Sequence, residues 1–364
     1  MLEDGRISNR QAVLLIVSTI LPTSIMFLPA MIYKEAAQDS WMSVILVTAF
    51  GLAAGMVIAG LGTRFPDKTI VQYGGLVAGR NLGWAIGLLY AAFFLYINTF
   101  IIREFAEMMI TIFLPETPLL VFSVGLVMAS AYAVRGGLEV LARANEIALP
   151  VALGLLLLIV ALISPEMQFE HFTPALEKGF LPVLKGAYSP ALFFAETVVM
   201  LMLIPYLNRP REAGGTVFRG VAIIGLFQLM AVTASIAAFG AKTARAQFPT
   251  LFLARQVSIA DLIERVEPFI MLIWVFGGVM KVGVFYYCCV LATAQWLNLK
   301  EYRALVLPTG ALLTALSVLL WDNVFELTHQ IAEVIPPYFL SIEVGLPLVL
   351  LAAARLRGKG EGGR

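Results

Sequence analysis

Residues 9–32 decide the fold, and they read NRQAVLLIVSTILPTSIMFLPAMI. A helix needs about 20 mostly apolar residues to cross a hydrocarbon core of about 30 Å, so this stretch is long enough to span a membrane. Ser8 with Gln11 three residues later is a capping box, which predicts where the helix begins. Pro22 and Pro29 lie inside the stretch, and each removes a backbone hydrogen-bond donor. The stretch therefore predicts a transmembrane helix that is interrupted near its centre.

The whole chain shares this apolar character. Of its 364 residues, 60% are hydrophobic and 13% are charged, whereas soluble proteins have about 45–50% apolar and about 25% charged residues. The net charge of +1 leaves no basic surface for a phosphate backbone. The composition therefore predicts an integral membrane protein in a lipid bilayer and excludes nucleic acid as a partner.

Ten segments are long and apolar enough to be membrane-spanning helices. They are residues 9–32, 41–63, 83–113, 118–134, 144–163, 183–206, 216–239, 261–296, 302–320 and 335–354. With both termini inside, sixteen lysine and arginine residues fall in inner segments and six in outer segments. Because cytoplasmic loops retain basic residues, both termini are predicted to be cytoplasmic.

The first five and the last five helices are predicted to form two similar halves. Their starts differ by about 174 to 191 residues, and an odd number of helices makes the two halves enter the membrane from opposite faces. Helix six contains Ser189-Pro190 and Pro205, so it repeats the interruption of helix one. The predicted fold is an all-α polytopic membrane protein with ten transmembrane helices in a five-plus-five inverted repeat, with helices 1 and 6 interrupted. Its parts are the first repeat (1–164), an outer amphipathic connection (165–182), the second repeat (183–354) and a cytoplasmic tail (355–364).

Two outer connections are long. In the first, Phe169, Phe172, Leu176 and Phe180 recur at spacings of three and four, which predicts a short amphipathic helix on the membrane surface. The second, residues 242–255, contains an apolar stretch and is either a lid over an opening or a plain surface loop.

Ionisable residues inside a predicted span need a partner or a function, because charge is costly at the bilayer centre. Lys281 in helix eight and Glu196 in helix six each lie deep in an uncharged run. The sequence leaves two roles open for these residues. They form either a structural salt bridge with each other or a site that binds a substrate or a proton. Glu343 in helix ten is predicted to be shallower and interfacial.

The charged cluster Arg103, Glu104 and Glu107 follows an uncharged run that already spans the membrane, so it predicts a structural network at the outer end of helix three. An intramembrane enzyme that pairs Glu104 with Glu107 is the less favoured alternative. The only histidines, His171 and His329, fall in outer loops, and no nucleotide-binding or metalloprotease motif occurs. The sequence therefore predicts no catalytic residues, no cofactor and no metal.

Interrupted helices in corresponding positions of two halves favour a ligand site near the bilayer midplane, although two ordinary proline kinks are an alternative. Half-helix amino ends suit a carboxylate and half-helix carboxyl ends suit an ammonium group. We therefore expect a small amino-acid-like ligand. The candidate ligand-binding residues are Pro22, Thr23, Ser24, Tyr96, Phe193, Phe194, Glu196 and Tyr287. Lys281 and Glu196 are the candidates for a coupling or buried-charge role.

Four short motifs occur in order along the chain. They are Ile7-Ser8-Asn9-Arg10-Gln11 leading to Phe27-Leu28-Pro29, Leu114-Pro115-Glu116-Thr117-Pro118, Gly137-Leu138-Glu139-Val140-Leu141-Ala142-Arg143 followed by Glu146 and Pro150, and Glu196 followed by Ile204-Pro205-Tyr206. Together they resemble the spore germination permease family, the polytopic B subunits of nutrient germinant receptors, and the resemblance covers essentially the whole chain.

The resemblance implies the five-plus-five fold of the amino acid, polyamine and organocation transporter superfamily. It also implies residence in the spore inner membrane and assembly with a larger A subunit and a lipoprotein C subunit. Lys281 would then lie where a coupling cation lies between helices one and eight.

Two functions remain open. The chain is either a receptor subunit that binds a small amino-acid-like germinant in a transporter-type midplane cavity and triggers germination, or an autonomous proton- or ion-coupled amino acid transporter. Both functions use the same cavity, so the residues do not distinguish them.

Overall fold

The computed structural model describes residues 2–3, 5–244, 248–256 and 267–360. This part of the chain consists of α-helices joined by short turns. The helices are α1 (Asn9–Ala36), α2 (Ser40–Arg64), α3 (Ile70–Ala78), α4 (Arg80–Ile112), α5 (Leu119–Gly136), α6 (Leu138–Ile163), α7 (Leu181–Tyr188), α8 (Ala191–Ala195), α9 (Met200–Leu203), α10 (Ala213–Phe239), α11 (Pro249–Gln256), α12 (Glu267–Trp296), α13 (Arg303–Leu319), α14 (Val324–His329), α15 (Ile335–Leu340) and α16 (Leu346–Leu356). Wider π-helical turns, Gln330–Val334 and Ser341–Gly345, join α14 to α15 and α15 to α16.

Seven helical stretches of the described residues are long and apolar enough to cross a membrane, or eight if a bent pair counts as one span. The first of them, Asn9–Arg64, has 56 residues and contains both α1 and α2. Arg303–Leu319 is a shorter apolar helix, and residues 261–266, the predicted start of helix eight, lie outside the described residues. An all-helical membrane architecture is confirmed, whereas the ten crossings in two inverted halves stay a prediction.

The predicted interruption of the first helix is wrong, because α1 runs continuously through Pro22 and Pro29. A proline cannot bond the carbonyl four residues before it, so Pro29 leaves the carbonyl of Ile25 without its helical donor. The hydroxyl of Thr250 donates to that carbonyl at 2.6 Å. A donor from α11 therefore replaces the missing N–H, and the helix continues.

The predicted interruption of helix six is confirmed. Helix α7 and the run Ala191–Tyr206 are bent by 50° at Ser189-Pro190. Beyond the bend, α8 tightens into the 3-10 turn Glu196–Val199 before α9 begins. The bend and the tighter turn set the direction in which the side chain of Glu196 points.

The segment before α1 is held where helix six ends. The capping box is present, with the N–H of Gln11 donating to Ser8 Oγ at 3.1 Å and the N–H of Ser8 donating to Gln11 Oε1 at 2.8 Å. Ile7 forms a parallel bridge with Leu207. These contacts hold the start of α1 against the chain that follows the broken helix.

Both long connections differ from the predictions. Residues 165–182 do not form an amphipathic helix, since they contain the short 3-10 turn Phe169–Phe172 and a positive φ of 55° at Leu176. Pro174 also lacks the N–H that a helix needs at that position. The second connection is not a plain surface loop, because α11 packs against α1, α6 and α10 and buries Leu251, whereas its role as a lid stays a prediction. Residues 245–247 of this connection lie outside the described residues.

Helix α12 lies at the centre of the bundle, where α1, α4, α5 and α6 pack against it. At its crossing with α1, Gly277 faces Pro22 so closely that a Cβ on this glycine would come within 2.8 Å of the Pro22 ring. This close approach brings the middle of α1 against the middle of α12, one turn before Lys281.

Candidate binding site

A buried ion pair joins three parts of the bundle. Lys281 Nζ on α12 lies 2.7 and 2.8 Å from the two carboxylate oxygens of Glu196 and 2.6 Å from the hydroxyl of Thr23 on α1. Lys281 is 0% exposed and Glu196 is 2% exposed. The ion pair predicted from the sequence is therefore present. Since an ammonium group has three N–H donors, these three acceptors use all of them.

Aromatic rings surround the ammonium group. The ring centroid of Phe193 on α8 lies 5.7 Å from Lys281 Nζ, and that of Phe285 on α12 lies 6.0 Å away. The negative face of a ring attracts a cation at such distances. The rings therefore add to the compensation of the fully buried Lys281 charge.

Two further acids lie near the pair, and the sequence predicted neither of them at this cluster. Glu104 on α4 is 3% exposed and Glu343 is 0% exposed, and both interact electrostatically with Lys281 and Glu196. Among the described residues, Glu104 Oε1 and both oxygens of Glu343 have no hydrogen-bond partner. Glu343 is fully buried within the protein, and the candidate span that contains it begins at Ile335, as predicted, so its interfacial depth stays a prediction.

The predicted structural pair beside Glu104 is present. Arg103 lies 2.7–2.8 Å from Glu107 Oε1. It also donates to carbonyl oxygens at the carboxyl end of α13, which are those of Ser317, Val318 and Trp321, at 2.5–3.2 Å. Adjacent residues of a helix point about 100° apart. Arg103 and Glu107 therefore face α13, while Glu104 faces the buried cluster instead of joining their network.

The remaining residues predicted for the site lie in different surroundings. Ser24 is buried beside Thr23 and donates to the carbonyl of Leu21 at 3.2 Å. The ring of Phe194 packs against Gly51 of α2, where a Cβ would come within 2.6 Å of it. Phe194 is thus a packing contact between α8 and α2.

Two predicted tyrosines lie away from Lys281. Tyr96 is 36% exposed, and its ring contacts Trp321 and Phe339. Tyr287 is buried with an unpartnered hydroxyl, and its ring packs edge-on against Tyr302. Of the predicted residues, Thr23, Phe193, Glu196 and Lys281 come together, and Pro22 adjoins them.

One cavity borders this cluster, and two others lie close by. A small cavity of about 20 Å³ is lined by Pro22, Thr23, Met26, Phe27, Ile101, Glu104, Phe105, Met108, Trp274 and Gly278. A mostly apolar cavity of about 60 Å³ lies on the other side of Pro22, next to Ser18 and Asn145. A wider cavity of about 450 Å³ is lined by Phe27, Lys34, Lys185 and Glu333, among others. Phe27 therefore lies between the small cavity and the wide one.

The described residues contain no group of three or more histidine, cysteine or acidic side chains that could hold a metal ion. Within the same ranges, the chemistry that the cluster offers is charge and hydrogen bonding: one ion pair in which Lys281 uses all its donors, and two further acids with unpartnered oxygens.

Two solved structures share this fold. MhsT, solved in complex with L-phenylalanine, superposes with a TM-score of 0.65 over 97% of this chain and 90% of its own, at 15% identity. Mhp1, a nucleobase-cation-symport-1 family transporter solved with bromovinylhydantoin bound, superposes with a TM-score of 0.69 over 97% of this chain and 79% of its own, at 10% identity. At these identities the superpositions show a common fold.

Sequence relatives cover the whole chain. Spore germination protein KB of Bacillus subtilis is 30% identical, with 99% of both chains aligned. Spore germination protein YndE of the same organism is 26% identical over 98% of both chains. The sequence model described as "Spore germination protein" matches residues 6–323. The chain is thus a non-enzymatic integral membrane protein, and it belongs to the spore germination protein family.

Proposed function

We propose that this protein is the membrane subunit of a spore nutrient germinant receptor, and that it binds a small amino-acid-like germinant in a transporter-type cavity and so triggers germination. The observation that carries the proposal is the Lys281, Glu196 and Thr23 cluster. It ties the proline-containing α1 to the broken helix six and to α12. A ligand that enters beside it contacts parts of the fold that can move relative to one another.

The ligand site in this proposal is the small cavity at Pro22, Thr23 and Glu104, and its entrance is the wide cavity beyond Phe27. The wide cavity carries charged side chains such as Lys34 and Glu333, as an aqueous entrance should. The solved structures of the same fold that hold small organic molecules support a ligand of this size.

The proposal includes the ten-helix inverted repeat with both termini in the cytoplasm. It also places the protein in the spore inner membrane. Two solvent-exposed residues test the orientation, Lys178 in the long outer connection and Arg211 in the turn after helix six. In a background with Cys288 and Cys289 replaced by alanine, single cysteines at these two positions should react with an impermeant thiol reagent from opposite sides. Reaction of both from the same side contradicts the topology.

The proposed partners are the A subunit and the lipoprotein C subunit of a germinant receptor. Three of the relatives carry names of the same series, spore germination proteins KB, B2 and A2, which supports membership of such a complex. Co-purification of the chain with both subunits from spore membranes tests this part of the proposal.

Binding is tested on the purified chain, alone and with its co-purified subunits. At least one of the twenty standard L-amino acids should raise the Tm in a concentration-dependent way, because a ligand that binds only the folded state stabilises it. The 2-hydroxy acid analogue of that amino acid, which lacks the ammonium group, is the matched control and should have no effect. If none of the twenty amino acids shifts the Tm, the proposed function is wrong.

The second candidate is an autonomous proton- or ion-coupled amino acid transporter. The buried acids Glu104 and Glu343 favour it, because each has an oxygen without a hydrogen-bond partner in the described part of the chain and intramembrane acids often carry protons in transporters. Uptake of the stabilising amino acid in radiolabelled form into proteoliposomes distinguishes the two functions. Accumulation driven by an imposed pH gradient supports the transporter, while binding without uptake supports the receptor subunit.

A further inference from the structure

We propose that Glu104 is the anchor for a primary ammonium group, so that the ligands of this protein are amines whose charged nitrogen occupies the small cavity between α1, α4 and α12. The inference rests on the proposed function and names the group of the ligand that the cavity recognises.

The distribution of charge in the buried cluster leads to Glu104. Both oxygens of Glu196 accept from Lys281, and Lys281 uses its third donor on Thr23. Lys281 therefore has no donor left for a ligand, and each oxygen of Glu196 already accepts a charged donor. Glu104 is almost as deeply buried as Glu196, but its Oε1 has no partner in the described part of the chain. A buried carboxylate without a partner is costly, and a cationic ligand removes that cost.

The walls of the cavity suit an organic cation. The aromatic rings of Phe27, Phe105 and Trp274 line it, and aromatic faces attract ammonium groups. Its oxygen-bearing side chains, among the described residues, are those of Thr23 and Glu104. A bare metal ion replaces its hydration shell with several oxygen ligands, and two such side chains are too few for that. The surroundings therefore favour an ammonium group attached to carbon over an inorganic ion.

The size of the cavity limits what it holds. A volume of about 20 Å³ has room for roughly one water molecule, which is also about the size of an ammonium group. The rest of the ligand must extend past Phe27, which lines both this cavity and the wide one. Glu343, the other acid without a partner, is not among the residues that line the small cavity.

The experiment compares wild type with Glu104→Gln, Glu104→Asp and Glu343→Gln. Glu104→Gln keeps the shape and removes the charge, Glu104→Asp keeps the charge, and Glu343→Gln removes a second buried charge elsewhere in the cluster. Each protein is titrated with the twenty standard L-amino acids, with n-propylammonium and with the chlorides of sodium and potassium, and the Tm is followed.

For every amine that stabilises wild type, Glu104→Gln should raise the Kd at least tenfold, since a hydrogen bond between charged groups is lost. Glu104→Asp should retain more affinity than Glu104→Gln, and Glu343→Gln should bind as wild type does. Unchanged amine affinity in Glu104→Gln overturns the inference and leaves the proposed function standing. An equal loss in Glu343→Gln also overturns it, because binding then depends on the charge of the whole cluster.

The other probes separate the remaining outcomes. If no amino acid binds wild type, the proposed function fails, and n-propylammonium decides the inference alone. Stabilisation by n-propylammonium that Glu104→Gln abolishes supports the ammonium anchor. Stabilisation by potassium or sodium without any effect of amines shows an inorganic ion site and overturns the inference. The inference is also overturned if neither amines nor salts have any effect.

Discussion

Replacing Lys281 with methionine should destabilise the folded protein by about 3–5 kcal/mol, the cost of removing one member of a buried ion pair. The change leaves Glu196 as an uncompensated buried carboxylate and leaves the Thr23 hydroxyl without its donor. We expect a large fall in the Tm of the detergent-purified protein. We also expect a lower yield of protein extracted from membranes.

The double variant Lys281→Met with Glu196→Gln should recover part of the loss, because it no longer buries an unpaired charge. An exposed lysine provides the control: Lys178→Met should change stability by no more than about 0.5 kcal/mol. If the losses of the two single variants simply add in the double variant, the two side chains do not stabilise each other.

Replacing Arg103 with methionine should lower the free energy of unfolding by about 3–5 kcal/mol, as for Lys281. It leaves the buried carboxylate of Glu107 unpaired, and it removes the donor that satisfies carbonyl oxygens at the end of α13. The loss is measured by thermal unfolding, and Arg103→Met with Glu107→Gln should recover part of it.

Arg103→Lys tests whether the shape of the guanidinium matters. A lysine keeps the charge but cannot present the planar fork that reaches both Glu107 and the carbonyls of α13, so most of the loss should remain. A lysine variant as stable as wild type contradicts the bridging role of Arg103. Because Arg103 faces away from the cavity at Glu104, the folded variants should bind ligand with wild-type affinity.

Local chemistry decided the features that the sequence predicted well. Apolar length and the Ser8 capping box located the helices, and Ser189-Pro190 located the bend in helix six. The pairing of Lys281 with Glu196 followed from the absence of other charges nearby in the two apolar runs. The capping box and the bend are local signals, whereas the ion pair joins two residues that are 85 positions apart.

The predictions that were wrong depend on contacts between distant parts of the chain. The continuity of α1 at Pro29 rests on Thr250, a donor that no local pattern reveals. The burial of Glu343 near Lys281 and Glu196 depends on packing between helices, which its position in the last apolar run does not reveal. Glu104 is adjacent to Arg103 in the sequence, but the two point to different neighbours. The sequence did offer one signal for Glu104: it is an acidic residue that follows an uncharged run long enough to span the membrane.

The hydrogen bond from Thr250 to Ile25 makes the shape of α1 depend on where α11 lies. A shift of α11 by about 1 Å takes the hydroxyl beyond hydrogen-bonding distance, and the carbonyl then lies in an apolar interior without a donor, at a cost of about 1–3 kcal/mol. The positions of α1 and α11 are therefore energetically coupled, although 225 residues separate the two bonded groups. Coupling of this kind acts in both directions. A force that moves α11 from outside the bundle alters α1 next to the cavity, and an occupant of the cavity that bends α1 displaces α11, without the occupant ever contacting α11.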